Sequence, residues 1–512
     1  MVVHLALALA TLAGTADKLP LKSPSAVGMS AERLATIDRV VRRGMSAGGY
    51  PGASVVIGRR GAAVLQKGFG HLGWTKTSPE VDADKTIYDL ASLSKVIGTT
   101  TAAMILYDEG RLDLDAPVSR YLPDFTGGNK DQVTVRQLLT HRSGLPAGRE
   151  LWRIASNALD ARRIVLATPL ANKPGAAFVY SDLGADVMAW VVEEISGLAL
   201  DTYLNERVFK RLGMSDTFYN PPDSLHYRIA PTEVAPPRGY PVKGEVHDEN
   251  AFALGGVAGH AGLFSTASDL AIFAQMMLNG GEYNDVRIFS DSTVALFTHR
   301  SAGTRALGWD TADGDGGSGE HLTAAAYGHT GYTGTSIWID PERQMFVVLL
   351  TNRVHAAKAR RPAKVIADVR ADLADAAALS VEDTDRILAM PASFRADRAD
   401  GWNKPVRRAR RSTRSSRAKT TKAKVTTAKS TKAKAKPTAA KSTAAKSSKP
   451  SAAKSTSSSK PSAVKKSTKS VPAKAKPAAS TSSKASSNAR TTSKVTRSKT
   501  AVKKPSSQSS RA

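Results

Sequence analysis

The feature that most limits how this chain can fold is a break in composition at residue 401. From Gly401 to Ala512 there are 32 Lys and Arg and no Asp or Glu, and beyond Trp402 there is no aromatic residue. The stretch cycles through Ala-Ala-Lys-Ser at 439, 444 and 452, Ser-Lys-Pro at 448 and 459, and Ala-Lys-Pro at 435 and 475. Such a segment cannot bury a core against its own charge repulsion, so 403–512 reads as a disordered basic tail. Folding is then the business of the first 400 residues. These carry 41 basic against all 45 acidic groups, so the net charge of +28 belongs to the tail.

For 512 residues the size prior allows two or three domains, although single catalytic domains can be larger. The absence of cysteine excludes disulfides, thiolate metal sites and a Cys nucleophile. Residues 1–16 read as a signal peptide: Leu5 to Ala13 form a short apolar run and Gly14-Thr15-Ala16 a small-residue cleavage site, although no Lys or Arg precedes them. Export to the periplasm or cell envelope is therefore expected, with a cytoplasmic location if the leader is no signal. No run reaches the roughly 18 apolar residues of a membrane span.

Within the body, Ser30 is placed to cap a helix over 31–43 with the stripe Leu34, Ile37, Val40, Val41. Two β-rich runs, 53–57 and 62–66, flank the hairpin signal Gly58-Arg-Arg-Gly61. A second β pair, 335–339 and 345–350, precedes a helix near 363–378. Between these ends the pattern is mainly helical, including a helix from Leu183 to Gly197 and another capped by Ser268 and ended by Gly280, with a Pro- and Gly-rich loop region over 220–262. Strands at both ends with helices between predict an α+β fold: one antiparallel sheet from N- and C-terminal segments, flanked by helices, with an inserted mainly helical region. The expected divisions are a catalytic domain over 25–380, a linker over 381–402 and the tail.

Three short elements carry chemistry. Ser92-Leu-Ser-Lys95 stands where a polar turn becomes a helix with Leu93, Val96, Ile97, Thr100, Met104 and Tyr107 on one face. At i,i+3 a hydroxyl and an amine lie roughly 5–6 Å apart at Cβ, near the positive end of the helix, which suits acyl transfer through Ser92. The tripeptide is cheap alone, since Ser451-Ala-Ala-Lys454 matches it inside the tail. Tyr180-Ser181-Asp182 precedes a helix, and a phenol beside an ammonium can accept a proton from serine. His329-Thr330-Gly331 opens a β segment where glycine lets backbone N–H groups approach a ligand.

The ordered set Ser-x-x-Lys, Tyr-x-Asp, His-Thr-Gly resembles that of the class C β-lactamase, D-alanyl-D-alanine carboxypeptidase and esterase family of serine hydrolases, over about residues 30–378. Leu138-Leu-Thr-His-Arg-Ser-Gly-Leu145 and Gly256-Val-Ala-Gly-His-Ala-Gly-Leu-Phe-Ser-Thr266 also look like this group's connecting segments. The resemblance implies Ser92 as acylated nucleophile, Lys95 as activating partner and Tyr180 as proton shuttle. It further implies an oxyanion hole from the N–H groups of Ser92 and Tyr332, with His329, Thr330, Gly331 and Asp182 on the substrate side. Two departures matter: many relatives have Lys where His329 stands, and Asn where Asp182 stands, which weakens the case for efficient β-lactam turnover.

Other candidates are weaker. Gly44-Met-Ser46-Ala-Gly48 has the nucleophile-elbow spacing but not its strand-turn-helix setting. The glycines of 255–262 lack a β-α-β unit, and His247-Asp-Glu-Asn250 reads as a loop lining the cleft rather than a metal motif. The expectation is a serine acyl hydrolase acting on D-alanyl peptides or small esters, with β-lactams as a further option, needing no cofactor and no metal. Its rivals are a penicillin-binding or sensor module that acylates and stalls, and a protein working through its tail. The tail's expected partner is an anionic polymer: an envelope polyanion if exported, nucleic acid if not.

Overall fold

A computed structural model describes residues 18–301, 303–312, 317–384 and 387–405. The leader read over 1–16 lies outside the described residues, as does the tail beyond Pro405.

The main sheet has six antiparallel strands: β1 (Gly52–Arg59), β2 (Ala62–Gly70), β3 (Asp310–Thr311), β4 (Tyr327–Thr330), β5 (Ser336–Asp340) and β6 (Met345–Thr351), in the order β2-β1-β6-β5-β4-β3. Arg60 and Gly61, with φ of 48° and 78°, form the two-residue turn that matches the twist of the β1–β2 hairpin. The central pair is β1 with β6, Val55 opposite Leu349, so the two ends of the body meet in the sheet as expected. Helices α1 (Thr36–Ser46), α4 (Ala267–Leu278) and α5 (Pro362–Leu379) pack on it, while α2 (Thr101–Asp108) and α3 (Asp182–Ser196) belong to the helical region between its two ends.

Every residue of β1 is buried, because both faces are covered. Val55 and Ile57 pack with Val40, Val41 and Val369 under α1 and α5, while Val56 turns to the larger core that holds Leu270 and Phe273 of α4. Each fully buried Val or Ile contributes about 1.5–3 kcal/mol. No helix among the described residues is long and apolar enough to cross a membrane.

Local expectations need three corrections. The helix over 31–43 is two helices, Ala31–Leu34 and α1, because the Thr36 hydroxyl bonds the Arg33 carbonyl at 2.7 Å where they meet. Thr266 caps α4, accepting from the Asp269 N–H at 3.2 Å; Ser268 lies inside the helix and donates to Asp84 at 2.6 Å. The stretch 381–402 is not a free linker. Phe394 and Trp402 are buried against α5, Trp402 Nε1 donates to Asp368 at 2.7 Å, and Arg395 pairs with Asp372 and Asp375. A change of Trp402 to Ala should therefore cost about 3–5 kcal/mol, as for other buried aromatics.

Candidate active site

The turn before Ser92 is wired to the sheet. The buried carboxylate of Asp89 accepts the Ala91 N–H at 2.8 Å and the His247 N–H at 2.6 Å, holding Ala91 in a left-handed conformation with φ 48°. The carbonyls of Asp89 and Leu90 accept the hydroxyls of Thr333 and Thr335 at 2.7 and 2.9 Å. Gly331 is glycine for a steric reason. A Cβ there would run into the Leu90 carbonyl oxygen and Thr335 Oγ1, so any side chain would push the His-Thr-Gly turn off the Ser92 segment.

Ser92 does not open a regular amphipathic α-helix. A single 3-10 turn, Ala91–Leu93, leads into a π-helical stretch, Lys95–Thr100, and only then into α2. Residues 93–106 are buried on all sides, so the apolar stripe expected on one face is a fully enclosed rod. The expected face-sharing nevertheless holds: Lys95 Nζ lies 3.0 Å from Ser92 Oγ.

Lys95 is buried, and its three N–H donors have three acceptors. They are Ser92 Oγ at 3.0 Å, Asp182 Oδ1 at 2.8 Å and the His260 carbonyl at 3.0 Å. Burial opposes the ammonium, but Tyr180 and Asp182 outweigh it and hold Lys95 above its ordinary pKa. For Asp182 burial likewise opposes charge, and Lys95 with help from His260 keeps the carboxyl below its usual range. Asp182, expected on the substrate side, is thus a ligand of Lys95. An Asn there would offer a weaker acceptor to the ammonium.

Tyr180 precedes α3, whose cap Ser181 accepts from the Gly184 N–H at 3.1 Å and donates to the Pro146 carbonyl at 2.7 Å. Its ring lies 4.9 Å from Lys95 Nζ, between the rings of His141 at 4.6 Å and His329 at 6.0 Å. His141 Nδ1 accepts the Ser181 N–H at 3.1 Å, and burial, with Arg305 and Lys95 nearby, pulls its pKa down to about 3. His329 is neutral for the same reasons, burial first and Arg305 and Lys95 after it. Its Nδ1 lies 2.9 Å from the Thr330 carbonyl. His329 therefore lends no positive charge to the cavity it lines.

The charge comes from residues the sequence did not single out. Ser92, Tyr180, His329, Thr330, Arg305 and Arg370 line one cavity of about 370 Å³. Arg370 of α5 is buried and donates from Nη2 to the carbonyls of Gly331 and Thr335 at 2.6 and 2.7 Å; burial, then Arg353, lowers its pKa to about 9, still a cation at neutral pH. Because a trans peptide sets C=O and N–H in opposite directions, tying the Gly331 carbonyl to Arg370 turns the Tyr332 N–H the other way. Arg305 stacks over Tyr180 and reaches Asp310 at 3.3 Å. The Tyr332 ring, 61% exposed, stands at the mouth between His247 and Arg353. Arg370 had a faint signal in sequence: no acidic residue stands three or four positions either side of it on its helix.

Comparison with known proteins fits this geometry. The sequence profile of the beta-lactamase family matches residues 37–371. A protein of Salmonella agona (strain SL483) named "Putative D-alanyl-D-alanine carboxypeptidase" is 34% identical over 378 residues, covering 65% of this chain and 86% of that protein. Among solved structures, a penicillin-binding protein homologue from Caulobacter crescentus superposes with a TM-score of 0.56 at 22% identity, covering 69% of this chain and 99% of the other. A family VIII carboxylesterase superposes with a TM-score of 0.54 at 19% identity, over 67% and 98% of the two chains.

Proposed function

Because this chain belongs to the beta-lactamase family, we propose that it is a serine acyl hydrolase that opens an amide or ester through an acyl-enzyme on Ser92. The observation that carries this reading is the saturated ammonium of Lys95, 3.0 Å from Ser92 Oγ. An ammonium with all three protons engaged has no lone pair to receive another. The Ser92 proton therefore passes to the Tyr180 oxygen as Oγ bonds to the substrate carbonyl carbon, and the phenol gives up its own proton toward the leaving atom. Negative charge on the carbonyl oxygen is held by the N–H groups of Ser92 and Tyr332. The tetrahedral centre collapses, the bond to the leaving nitrogen or oxygen breaks, and that atom departs with the proton from the phenol, while Tyr180 keeps the one from Ser92. Water then repeats the sequence on the ester and frees Ser92.

The substrate class we favour is a D-alanyl peptide, with small esters next. A terminal carboxylate suits a cavity with Arg305, Arg370 and the Thr330 hydroxyl in its walls, since charge-assisted hydrogen bonds to guanidinium are strong. Such a substrate fits an enzyme of the cell envelope, where the basic tail would concentrate it on anionic polymers. A chain ending at Pro405 should lose salt-sensitive retention on heparin and keep kcat/KM on a neutral ester within about twofold.

The test is a panel of penicillin, a D-alanyl-D-alanine peptide and p-nitrophenyl butyrate, following adduct mass and its decay. Turnover of the peptide with a transient adduct supports the proposal. A permanent adduct with every probe points to the stalled sensor, and no adduct with any probe rejects acyl transfer.

A further inference from the structure

Lys95 is aimed at Ser92 by its two other acceptors, Asp182 and the His260 carbonyl, and the second of these lies on a loop. That loop contains Gly255, Gly256, Gly259 and Gly262, and glycine backbone is free to adopt many conformations. Something must hold the carbonyl in place.

The side chain of the same residue does so. The His260 ring is buried, with Nδ1 2.7 Å from Asp186 Oδ1 and Nε2 3.0 Å from Asp248 Oδ1. A ring that faces a carboxylate from each nitrogen can bond both only by donating twice, as imidazolium. Asp248 is itself fixed, because its Oδ1 also accepts the N–H groups of Asn250 and Ala251 at 2.9 Å. Asp186 is one helical turn beyond Asp182 on α3, so a single helix face grips Lys95 with one carboxylate and His260 with the next. On either side of the carbonyl, Thr99 Oγ1 donates to Gly259 O at 2.7 Å and the Leu263 N–H donates to Ser94 Oγ at 3.0 Å. A Cβ on Gly259 would overlap the Ala185 carbonyl, so the loop lies directly on α3.

We propose that His260 is a positioning residue: its imidazolium, clamped between Asp186 and Asp248, fixes the carbonyl that sets the direction of Lys95 toward Ser92. The inference rests on the acyl-transfer reading above and adds a residue to it. The charged and titratable groups around the ring are Asp186 from α3, Asp248 from the segment preceding the short helix Glu249–Ala253, and beyond them Asp182, Lys95 and Tyr219. Burial opposes the charge on His260, and the two clamping carboxylates outweigh it, so the ring stays charged through neutral pH.

The experiment uses the full chain, with histidine ring nitrogens followed by 15N NMR and Ser92 acylation by p-nitrophenyl butyrate or penicillin followed by adduct mass. Wild type should show a doubly protonated His260 at pH 7.5 and an acylation rate constant that is not limited by this ring. Asp248→Asn keeps the helix cap, because Asn caps as well as Asp does, yet removes one charge that holds the imidazolium. Its His260 should titrate at lower pH, and its acylation rate constant should fall about tenfold or more as pH rises through that titration, with KM little changed. His260→Gln should be slow at every pH. A neutral wild-type ring at pH 7.5, or an Asp248→Asn enzyme that acylates like wild type after its ring has lost the proton, overturns the inference. Should His260→Gln not fold, Asp248→Asn decides. A charged wild-type ring with no adduct from any probe counts against acyl transfer and leaves the clamp standing.

Discussion

The two walls of the cleft handle charge in opposite ways. On the wall formed by α3 and the 248–263 loop, every cation has its counterion: Lys95 has Asp182, and His260 has Asp186 and Asp248. On the wall formed by the sheet edge and α5, Arg305 pairs with Asp310, but Arg370 meets only backbone carbonyls and its Nε has no hydrogen-bond partner among the described residues. His329, which lines the same cavity, is held neutral. A wall whose cations are all paired needs no charge from a ligand, as suits preorganised groups. A wall with surplus positive charge is completed by an anion. The first wall is the proposed machinery of bond breaking, and the second the proposed site of recognition.

The sharpest way to break this division is to remove the proton carrier. Tyr180→Phe should lower kcat by roughly 10²–10⁴, the range of general acid-base catalysis, while KM stays near wild type. A Phe enzyme of normal rate would move proton transfer elsewhere on the wall.

The recognition wall predicts a smaller and selective loss. Arg305→Gln should reduce kcat/KM on a carboxylate-bearing substrate about 10–100-fold, since hydrogen bonds to charged groups contribute about 1.5–3 kcal/mol. A neutral ester should change by less than about threefold. Equal losses on both would show that Arg305 serves Tyr180, over which it stacks, rather than the substrate.

How much of this was legible beforehand differs between the walls. That Ser92, Lys95 and Tyr180 come together was readable because each stands in a short local pattern at a turn or helix start. The joining of 53–57 with 345–350 was readable because β-branched runs at both ends of the body need partners. Asp182 was visible, but only coordinates show that its carboxylate pairs with Lys95. His260, Asp186 and Asp248 are scattered over three segments, and no period links them. His247-Asp-Glu-Asn250 was read as a cleft-lining loop, when Asp248 in fact grips a buried ring. The 381–402 stretch read as a linker because its anchors, Phe394 and Trp402, are isolated apolar residues without periodicity.

A separate predicted effect is on stability against pH. His141 is neutral when folded, with a pKa of about 3 against an ordinary 6.5, so the unfolded chain binds a proton that the native state refuses. Stability from this group is complete above about pH 6.5 and is lost as pH falls toward 3, by up to about 1.4 kcal/mol per pH unit. His329, also depressed, adds in the same direction. His141→Asn tolerates the left-handed φ of 54° and can still accept the Ser181 N–H. Urea unfolding between pH 4 and 7 should therefore show one proton fewer taken up on unfolding in the variant. An unchanged slope would mean that His141 is charged in the native protein.

The account stands most directly on where a substrate's acyl group goes. Wild type and Ser92→Ala should each be quenched during turnover of p-nitrophenyl butyrate or penicillin, digested, and the modified peptide identified by mass. The account predicts one acyl adduct, on the peptide containing Ser92, and no adduct or turnover in the Ala variant, which still folds because losing a first-turn hydroxyl costs only about 1 kcal/mol. An adduct on the peptide containing Ser46, or undiminished hydrolysis by folded Ser92→Ala, would contradict it.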